Sequence, residues 1–407
     1  MKPLKIALIR EGKIPTDARV LLTPKQCRAV MERFPSVQIV AQPSSGRCFD
    51  DDSYRAAGIE LTENIADCDL LMGIKEVPID WLLPNKKYFF FSHTVKKQVH
   101  NKKLLQAMLK NSTEVIDYEL LTDSRSNRLI AFGRFAGMVG AHNGVMGWGL
   151  RTGKFMLPRM HHLHDYSAAQ AVYRDLKFPF MRAVVTGTGR VANGAAEVLR
   201  DMGFRNVSPD DFLTQQFRGR PIFTQLAAVD YVRRRDGLPF DKDEFYAFPG
   251  RYESRFAEYY RCTDLLINGI FYDENAPMFF NSSEMRSPSF KIKVIADVTC
   301  DIVPHSSIPA TLKASTIESP FFGFDPLRAV ETEPFRQYTV DMMTVDNLPN
   351  ELPRDASEFF GHQFIENILP FLVEDSHSDV IERATICKNG KLMPRYSYLT
   401  DFLASAD

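Results

Sequence analysis

The run Ala183-Val184-Val185-Thr186 passes without a break into Gly187-Thr188-Gly189-Arg190-Val191-Ala192-Asn193-Gly194, and beyond it Ala192, Ala195, Ala196, Leu199 and Met202 recur at helical spacing. A strand that turns on glycines straight into an amphipathic helix opens a βαβ unit and commits the chain around it to a parallel sheet. Glycine at the turn lets backbone N–H groups and the helix N-terminus approach a pyrophosphate, so the segment is a candidate dinucleotide site. The spacing is G-x-G-x-x-x-x-G, which a plain strand-to-helix turn also satisfies. Candidate cofactor contacts are Gly187, Thr188, Gly189, Arg190 and Val191. In such units a carboxylate ~20 residues on commonly holds the ribose hydroxyls. Here that place reads Asn206-Val207-Ser208-Pro209, with Ser208 where the acid would stand and Asp210 and Asp211 beyond a proline. Without the carboxylate a 2′-phosphate is not repelled, and Arg190 or Arg205 is placed to meet it. The reading favours NADP(H) over NAD(H).

Short apolar runs alternate with amphipathic stretches through most of the chain. A first set lies at residues 6–9, 37–41, 70–74, 88–92 and 115–118, with Leu104, Leu105, Met108 and Leu109 spaced for one buried helix face. A second set lies at 183–186, 264–267 and 294–297. The fold class is therefore α/β with two parallel sheets. Between the sets, residues 131–153 carry Gly133, Gly137, Gly140, Gly144, Gly147 and Gly149, a spacing that lets helices approach closely; we expect a packed interdomain helix. Residues 204–261 read as an insertion, with Arg233-Arg234-Arg235 on a solvated helix face. After Asp346, the spacing of Phe359, Phe360, Phe364, Ile365 and Ile368 predicts a helix that packs back on one of the domains.

The 407 residues imply about two to three domains. With 50 Lys plus Arg against 51 Asp plus Glu, no net field selects nucleic acid or an anionic membrane. No stretch reaches the ~20 apolar residues of a membrane span, and the amino terminus enters a strand rather than a signal sequence. A cytoplasmic protein is expected. Cys27, Cys48, Cys68, Cys262, Cys300 and Cys387 lack metal or disulfide spacing and read as ordinary buried thiols. No metal is expected, the run Met160-His161-His162-Leu163-His164-Asp165 having no partner cluster. Trp81 and Trp148 read as packing residues.

Polar residues recur at the carboxyl ends of the first set of strands: Arg10, Lys75, His93 and Glu119. In an open parallel sheet those ends face one crevice. Burial lowers a lysine pKa toward neutrality and histidine titrates there already, so Lys75 and His93 suit acid–base work.

The chain resembles the lysine–ketoglutarate reductase half of the aminoadipic semialdehyde synthases and the lysine-forming saccharopine dehydrogenases, within the wider alanine dehydrogenase–transhydrogenase family. The resemblance is carried by Asp17-Ala18-Arg19 with Leu22-Thr23-Pro24, Gly73-Ile74-Lys75, Phe90-Phe91-Ser92-His93-Thr94, Ile116-Asp117-Tyr118-Glu119, Arg128 before Ala131-Phe132-Gly133, Leu266-Ile267-Asn268-Gly269, Ala296-Asp297-Val298 and Asp346-Asn347-Leu348-Pro349. It implies two Rossmann-like domains with the active site in the cleft between them: residues 1–132 and 340–407 for substrate, 133–339 for the dinucleotide. It also implies an acid–base pair in Lys75 and His93, arginines for substrate carboxylates in Arg19 and Arg128, and a carboxylate for the amino groups of lysine in Glu119. Asn268, Asp297 and Asp301 match positions near the nicotinamide. The stretch His93-Thr94-Val95-Lys96 follows the reductase half rather than the fungal enzyme, and any onward step is expected of a separate polypeptide.

The resemblance implies reductive condensation of L-lysine with 2-oxoglutarate to saccharopine, or its reversal. Two other readings are an alanine dehydrogenase-like enzyme and a non-catalytic NADP(H)-binding regulator. No interface pattern is visible, which leaves a homo-oligomer open.

Overall fold

The computed structural model describes residues 3–373 and 379–405. They form two units, residues 1–132 with 353–407, and residues 133–352.

In the first unit the apolar runs become an eight-stranded sheet in the order Lys391–Leu392, Thr385–Lys388, Glu114–Asp117, Lys87–Phe90, Leu70–Met72, Leu4–Leu8, Val37–Ala41 and Glu60–Leu61. The six strands from the amino-terminal part are parallel, with Ile6 facing Ile39 on one side and Leu70 on the other. Strands of a parallel sheet are covered on both faces and therefore read as continuous apolar runs. Helix Pro24–Arg33 opens on a Thr23–Gln26 capping box with proline at its first position, which supplies partners for the orphan N–H groups of its first turn. Helix Lys102–Lys110 buries Leu104, Leu105 and Met108, as their spacing predicts. The carboxyl-terminal helix Pro353–Asn367 packs into this unit: Phe360 and Phe364 meet Tyr118 edge-on, and the Ser357 hydroxyl accepts the Val20 N–H at 2.9 Å. Thr385–Lys388 then adds an antiparallel strand beside Glu114–Asp117.

The second unit has its own eight-stranded sheet, ordered Val330–Thr332, Phe321–Asp325, Val340–Met343, Val294–Asp297, Leu265–Asn268, Arg182–Thr186, Ile222–Leu226 and Arg205–Asn206. Val340–Met343 lies parallel to Val294–Asp297 and antiparallel to Phe321–Asp325. The chain therefore leaves this unit at residue 352, not at the expected 339, because that strand is paired on both edges. The glycine-rich segment is one helix, Gly133–Thr152, belonging to this unit. Its glycines mark contacts that a Cβ would obstruct: one on Gly137 would stand 1.8 Å from the Val191 carbonyl oxygen, and one on Gly194 2.1 Å from that of Arg134. Backbone thus meets backbone between this helix and Arg190–Asp201.

Three expectations are corrected here. Residues 204–261 are not simply an insertion, since Ile222–Leu226 is an inner strand of the sheet. The Arg233-Arg234-Arg235 run is not on a helix; Val232–Arg234 pairs antiparallel with Tyr252–Ser254, and Arg233 and Arg234 form ion pairs with Glu253 and Asp236. Trp148 is buried, but Trp81 is 44% exposed and lines a cavity. Of the six free cysteines, Cys27, Cys68 and Cys387 are buried and the other three half-buried. No helix among the described residues is long and apolar enough to cross a membrane.

Candidate functional site

In the first unit, three strand ends deliver the candidate residues. Lys75 follows strand Leu70–Met72, and its approach is fixed by Glu11, whose two carboxyl oxygens accept the backbone N–H of Ile74 at 2.6 Å and of Lys75 at 2.8 Å. Burial pushes the Glu11 carboxyl up to about 8, against the opposing pull of those two N–H groups. The Lys75 ammonium is held below its ordinary value, first by burial and then by the charge of Arg19. That brings neutral lysine closer to physiological pH.

His93 follows strand Lys87–Phe90 with a left-handed φ of 52°, a conformation a residue with a Cβ adopts at a cost. Its Nδ1 lies 2.6 Å from Oε1 of Glu76, while Oε2 of Glu76 takes Lys13 at 3.1 Å. Burial alone would raise the Glu76 carboxyl; the hydrogen bond and charge of His93 outweigh it and bring the group down to about 2. Glu76 is ionised across the working pH range and sets the orientation of the imidazole, as a carboxylate does for a catalytic histidine.

Glu119 follows strand Glu114–Asp117. Its Oε1 pairs with Lys96 at 3.0 Å and with Arg128, while Oε2 is buried without a hydrogen-bond partner among the described residues. Burial would raise this carboxyl, but Arg128 and Lys96 hold it below its ordinary value. One buried acid braces two of these loops: Asp117 accepts the Ser92 N–H at 2.8 Å and its hydroxyl at 2.7 Å on Oδ2, and the Glu119 N–H at 2.8 Å on Oδ1. Arg19 is buried, forked onto Asp17 at 2.9 and 2.6 Å, with its guanidinium 4.3 Å from the centre of the Phe132 ring. The structure thus brings Lys75, His93 and Glu119 to the ends of neighbouring strands, with Arg128 joined to them through Glu119 and Arg19 close enough for its charge to act on Lys75. Arg10 is not among them; its side chain turns to Glu63.

In the second unit, Gly187 takes a φ of 101° at the end of Arg182–Thr186, and a Cβ there would stand 2.8 Å from the Gly269 carbonyl oxygen. Gly189 caps helix Arg190–Asp201, and nothing lies within 4 Å of where its Cβ would be. Thr188, Gly189 and Arg190 are exposed and Val191 is half-buried, so the helix N-terminus is open to an anionic ligand. This cradle fits the pyrophosphate of a dinucleotide.

Two features differ from expectation. Ser208 follows the outermost strand, Arg205–Asn206, and its hydroxyl accepts the Asp211 N–H as a helix cap. The strand beside Arg182–Thr186 is Ile222–Leu226, where Leu226 accepts the Gly187 N–H at 2.8 Å and the Gln225 amide donates to Gly187 and Asn193, each at 3.0 Å. Gln225, missed in the sequence, is the side chain next to the turn. Asn268 and Asp297 are fully buried: Asn268 donates to Asp297 at 2.9 Å and accepts from Thr186 at 2.7 Å, while Thr299 and Thr311 donate to Asp297 at 2.7 and 2.6 Å. They tie three strand ends together. Asp301 is half-buried on the loop beyond.

Residues 7–139 match the family model described as alanine dehydrogenase/PNT, N-terminal domain. The mitochondrial alpha-aminoadipic semialdehyde synthase of Mus musculus is 31% identical over 447 residues, covering 98% of this chain and 48% of the relative. The chain thus spans about half the length of that relative. A saccharopine dehydrogenase [NAD(+), L-lysine-forming] of Emericella nidulans is 25% identical, covering 90% of this chain and 91% of the relative. Among solved structures, an L-alanine dehydrogenase superposes with a TM-score of 0.64 at 15% identity, over 98% of this chain and 99% of the other. A transhydrogenase from Sinorhizobium meliloti gives 0.56 at 10% identity, over 96% and 100%. The two structures share the Rossmann-like fold with this chain.

Proposed function

From a chain that is a relative of the saccharopine dehydrogenases and the alpha-aminoadipic semialdehyde synthases, and that carries the alanine dehydrogenase/PNT N-terminal domain, we propose an NAD(P)-dependent oxidoreductase that forms or cleaves saccharopine from L-lysine and 2-oxoglutarate. The observation that carries the reading is a Lys75 ammonium that burial holds below its ordinary value, next in sequence to the ionised Glu76 that orients His93.

Condensation needs a neutral ε-amine to attack the keto carbon, and loss of water from the resulting carbinolamine needs an acid. Neutral Lys75 takes a proton at Nζ, and His93 exchanges one at Nε2 while Glu76 holds Nδ1. The unpartnered Oε2 of Glu119 is an acceptor for a substrate ammonium. Arg128 is the cation for a substrate carboxylate, which a guanidinium binds through paired N–H groups; Arg19, the second such cation that the resemblance implies, has its Nε and Nη2 groups on Asp17. The turn Gly187 to Val191 would hold the dinucleotide pyrophosphate, with Gln225 and the Asn268–Asp297 network keeping its strand ends in place; Asp301 and Ser208 lie on flanking loops. When bound, the nicotinamide supplies the hydride that reduces the imine carbon. Asp230, the first carboxylate beyond Leu226, has one oxygen occupied as a cap, accepting the Ala227 N–H at 2.7 Å. With Arg190 exposed at the turn, this supports NADP(H) over NAD(H).

The test is loss of NADPH or NADH absorbance on adding lysine and 2-oxoglutarate together and singly. Oxidation only with both supports the reading; oxidation with ammonia and a keto acid but not with lysine replaces it by an alanine dehydrogenase-like reaction.

A further inference from the structure

Residues 10 and 11 continue past strand Leu4–Leu8 with their side chains turned to different sides. Glu11 serves the Lys75 loop, whereas Arg10 faces a cavity of about 280 Å³ that no step of the reaction above uses. The floor is apolar, with Ile65, Val77, Leu83 and the Tyr88 ring; the Tyr88 hydroxyl is engaged by the Leu83 N–H at 2.8 Å. Trp81 forms a wall, with the Arg10 guanidinium 5.3 Å from its ring centre. At the rim Arg10 and Glu63 pair at 2.8 Å through Nη1 and Oε1. The Gln42 side chain also lines the cavity, its Oε1 accepting the Arg10 backbone N–H at 3.2 Å.

We propose that this cavity binds a free α-amino acid with an uncharged, apolar side chain. A cation beside an anion at the rim of an apolar cavity is the charge complement of a zwitterion: the ligand carboxylate takes Arg10 and its ammonium takes the exposed Glu63. The apolar floor and the indole face then receive the side chain, an arrangement of apolar lining with a few converging polar groups that is usual for small-ligand sites. The volume suits a leucine- or phenylalanine-sized molecule and is too small for a dinucleotide. A lysine side chain would place its ammonium on the apolar floor, so the substrate of the proposed reaction is disfavoured here. Because Arg10 adjoins Glu11, occupancy is one residue removed from the group that seats Lys75.

Calorimetry and tryptophan fluorescence on the full chain test this, with leucine, phenylalanine, lysine, isopentylamine and 4-methylpentanoate as probes. Leucine or phenylalanine should bind with a change in Trp81 emission, and the amine and the acid, each lacking one charge, should bind at least ~10-fold more weakly. Arg10→Gln and Glu63→Gln should each weaken binding by a similar factor, and Trp81→Phe should abolish the optical signal while leaving calorimetric binding measurable. Absence of binding by either apolar amino acid at about 10 mM overturns the proposal, as does equal binding of the single-charge analogues or unchanged affinity in a folded Arg10→Gln protein. None of these readouts requires turnover, so failure of the saccharopine reading leaves the test intact.

Discussion

Oε1 of Glu76 lies 2.6 Å from Nδ1 of His93, so the residue after Lys75 in the sequence is the one that orients the imidazole at the next strand end. Two groups on neighbouring strand ends are thereby locked into one unit. Replacing Glu76 with Gln keeps the size and removes the charge that fixes the imidazole. The expected outcome is a fall in kcat of ~10²-fold or more with a smaller change in KM for lysine, read by steady-state kinetics. A normal kcat would remove Glu76 and His93 from proton transfer.

The same pair has a stability signature. Folding lowers the Glu76 carboxyl from 4.5 to about 2, so its contribution is fully present above 4.5 and is lost as pH falls toward 2. Glu76→Gln never has that contribution. Thermal unfolding should therefore show a deficit in the variant at neutral pH that narrows as pH drops through this window; a deficit independent of pH would assign the loss to packing.

Lys75 works as a base only when neutral, and burial with the Arg19 charge lowers its pKa from 10.5. The acidic limb of kcat/KM should therefore turn below 10.5, and Lys75→Arg, which cannot deprotonate in this range, should lose ~10²-fold or more in turnover. Removing the Arg19 charge stabilises the ammonium, so Arg19→Gln should shift the limb to higher pH. It also strands the buried Asp17, at a cost of roughly 3–5 kcal/mol, so the profile is to be taken well below the variant's Tm. A limb that stays in place would show that another group sets it.

How much of this was legible differs by element. The parallel strands were, because burial on both faces writes itself as unbroken apolar residues, and the helix Pro353–Asn367 was visible in its phenylalanine spacing. Strand Ile222–Leu226 was not: Thr224 and Gln225 interrupt it, and Arg205–Asn206 arrives first in the chain at the place where the neighbouring strand was sought. That order made Ser208 the apparent ribose contact and hid Gln225. Lys75, His93 and Glu119 could be seen as polar residues ending apolar runs. Glu11, Glu76 and Asp117 could not, because they hold backbone N–H groups or a ring nitrogen brought near only by the sheet. Asn268 and Asp297 were legible as positions, but their burial directs them to each other and to the threonines around them.

Glu11 supports Lys75 through the backbone alone. Its two oxygens accept the adjacent N–H groups of Ile74 and Lys75, and a glutamine offers one acceptor and one amide NH₂ in their place. Glu11→Gln should therefore leave one buried N–H facing another donor, costing about 1–3 kcal/mol in denaturant unfolding and displacing Lys75. Glu11→Asp, which keeps both acceptors on a shorter stem, should recover part of the turnover. Equal loss in the two variants would mean that reach, not the acceptor pair, is what the Lys75 loop needs.

The nucleotide turn gives the last prediction. Gly187 sits at a φ of 101° with the Gly269 carbonyl oxygen 2.8 Å from where a Cβ would go, so Gly187→Ala strains the backbone and pushes two strand ends apart. Binding of NADPH and NADH, followed by reduced-nicotinamide fluorescence, should weaken together, by ~10-fold or more, because the pyrophosphate cradle serves both. Arg190→Ala should separate them. Arg190 is exposed at the first position of the helix, and loss of its charge is expected to weaken NADPH by ~10-fold and leave NADH nearly unchanged if a 2′-phosphate is its partner. Equal weakening of both cofactors would place Arg190 on the pyrophosphate instead, and the preference for NADP(H) would lose its cation.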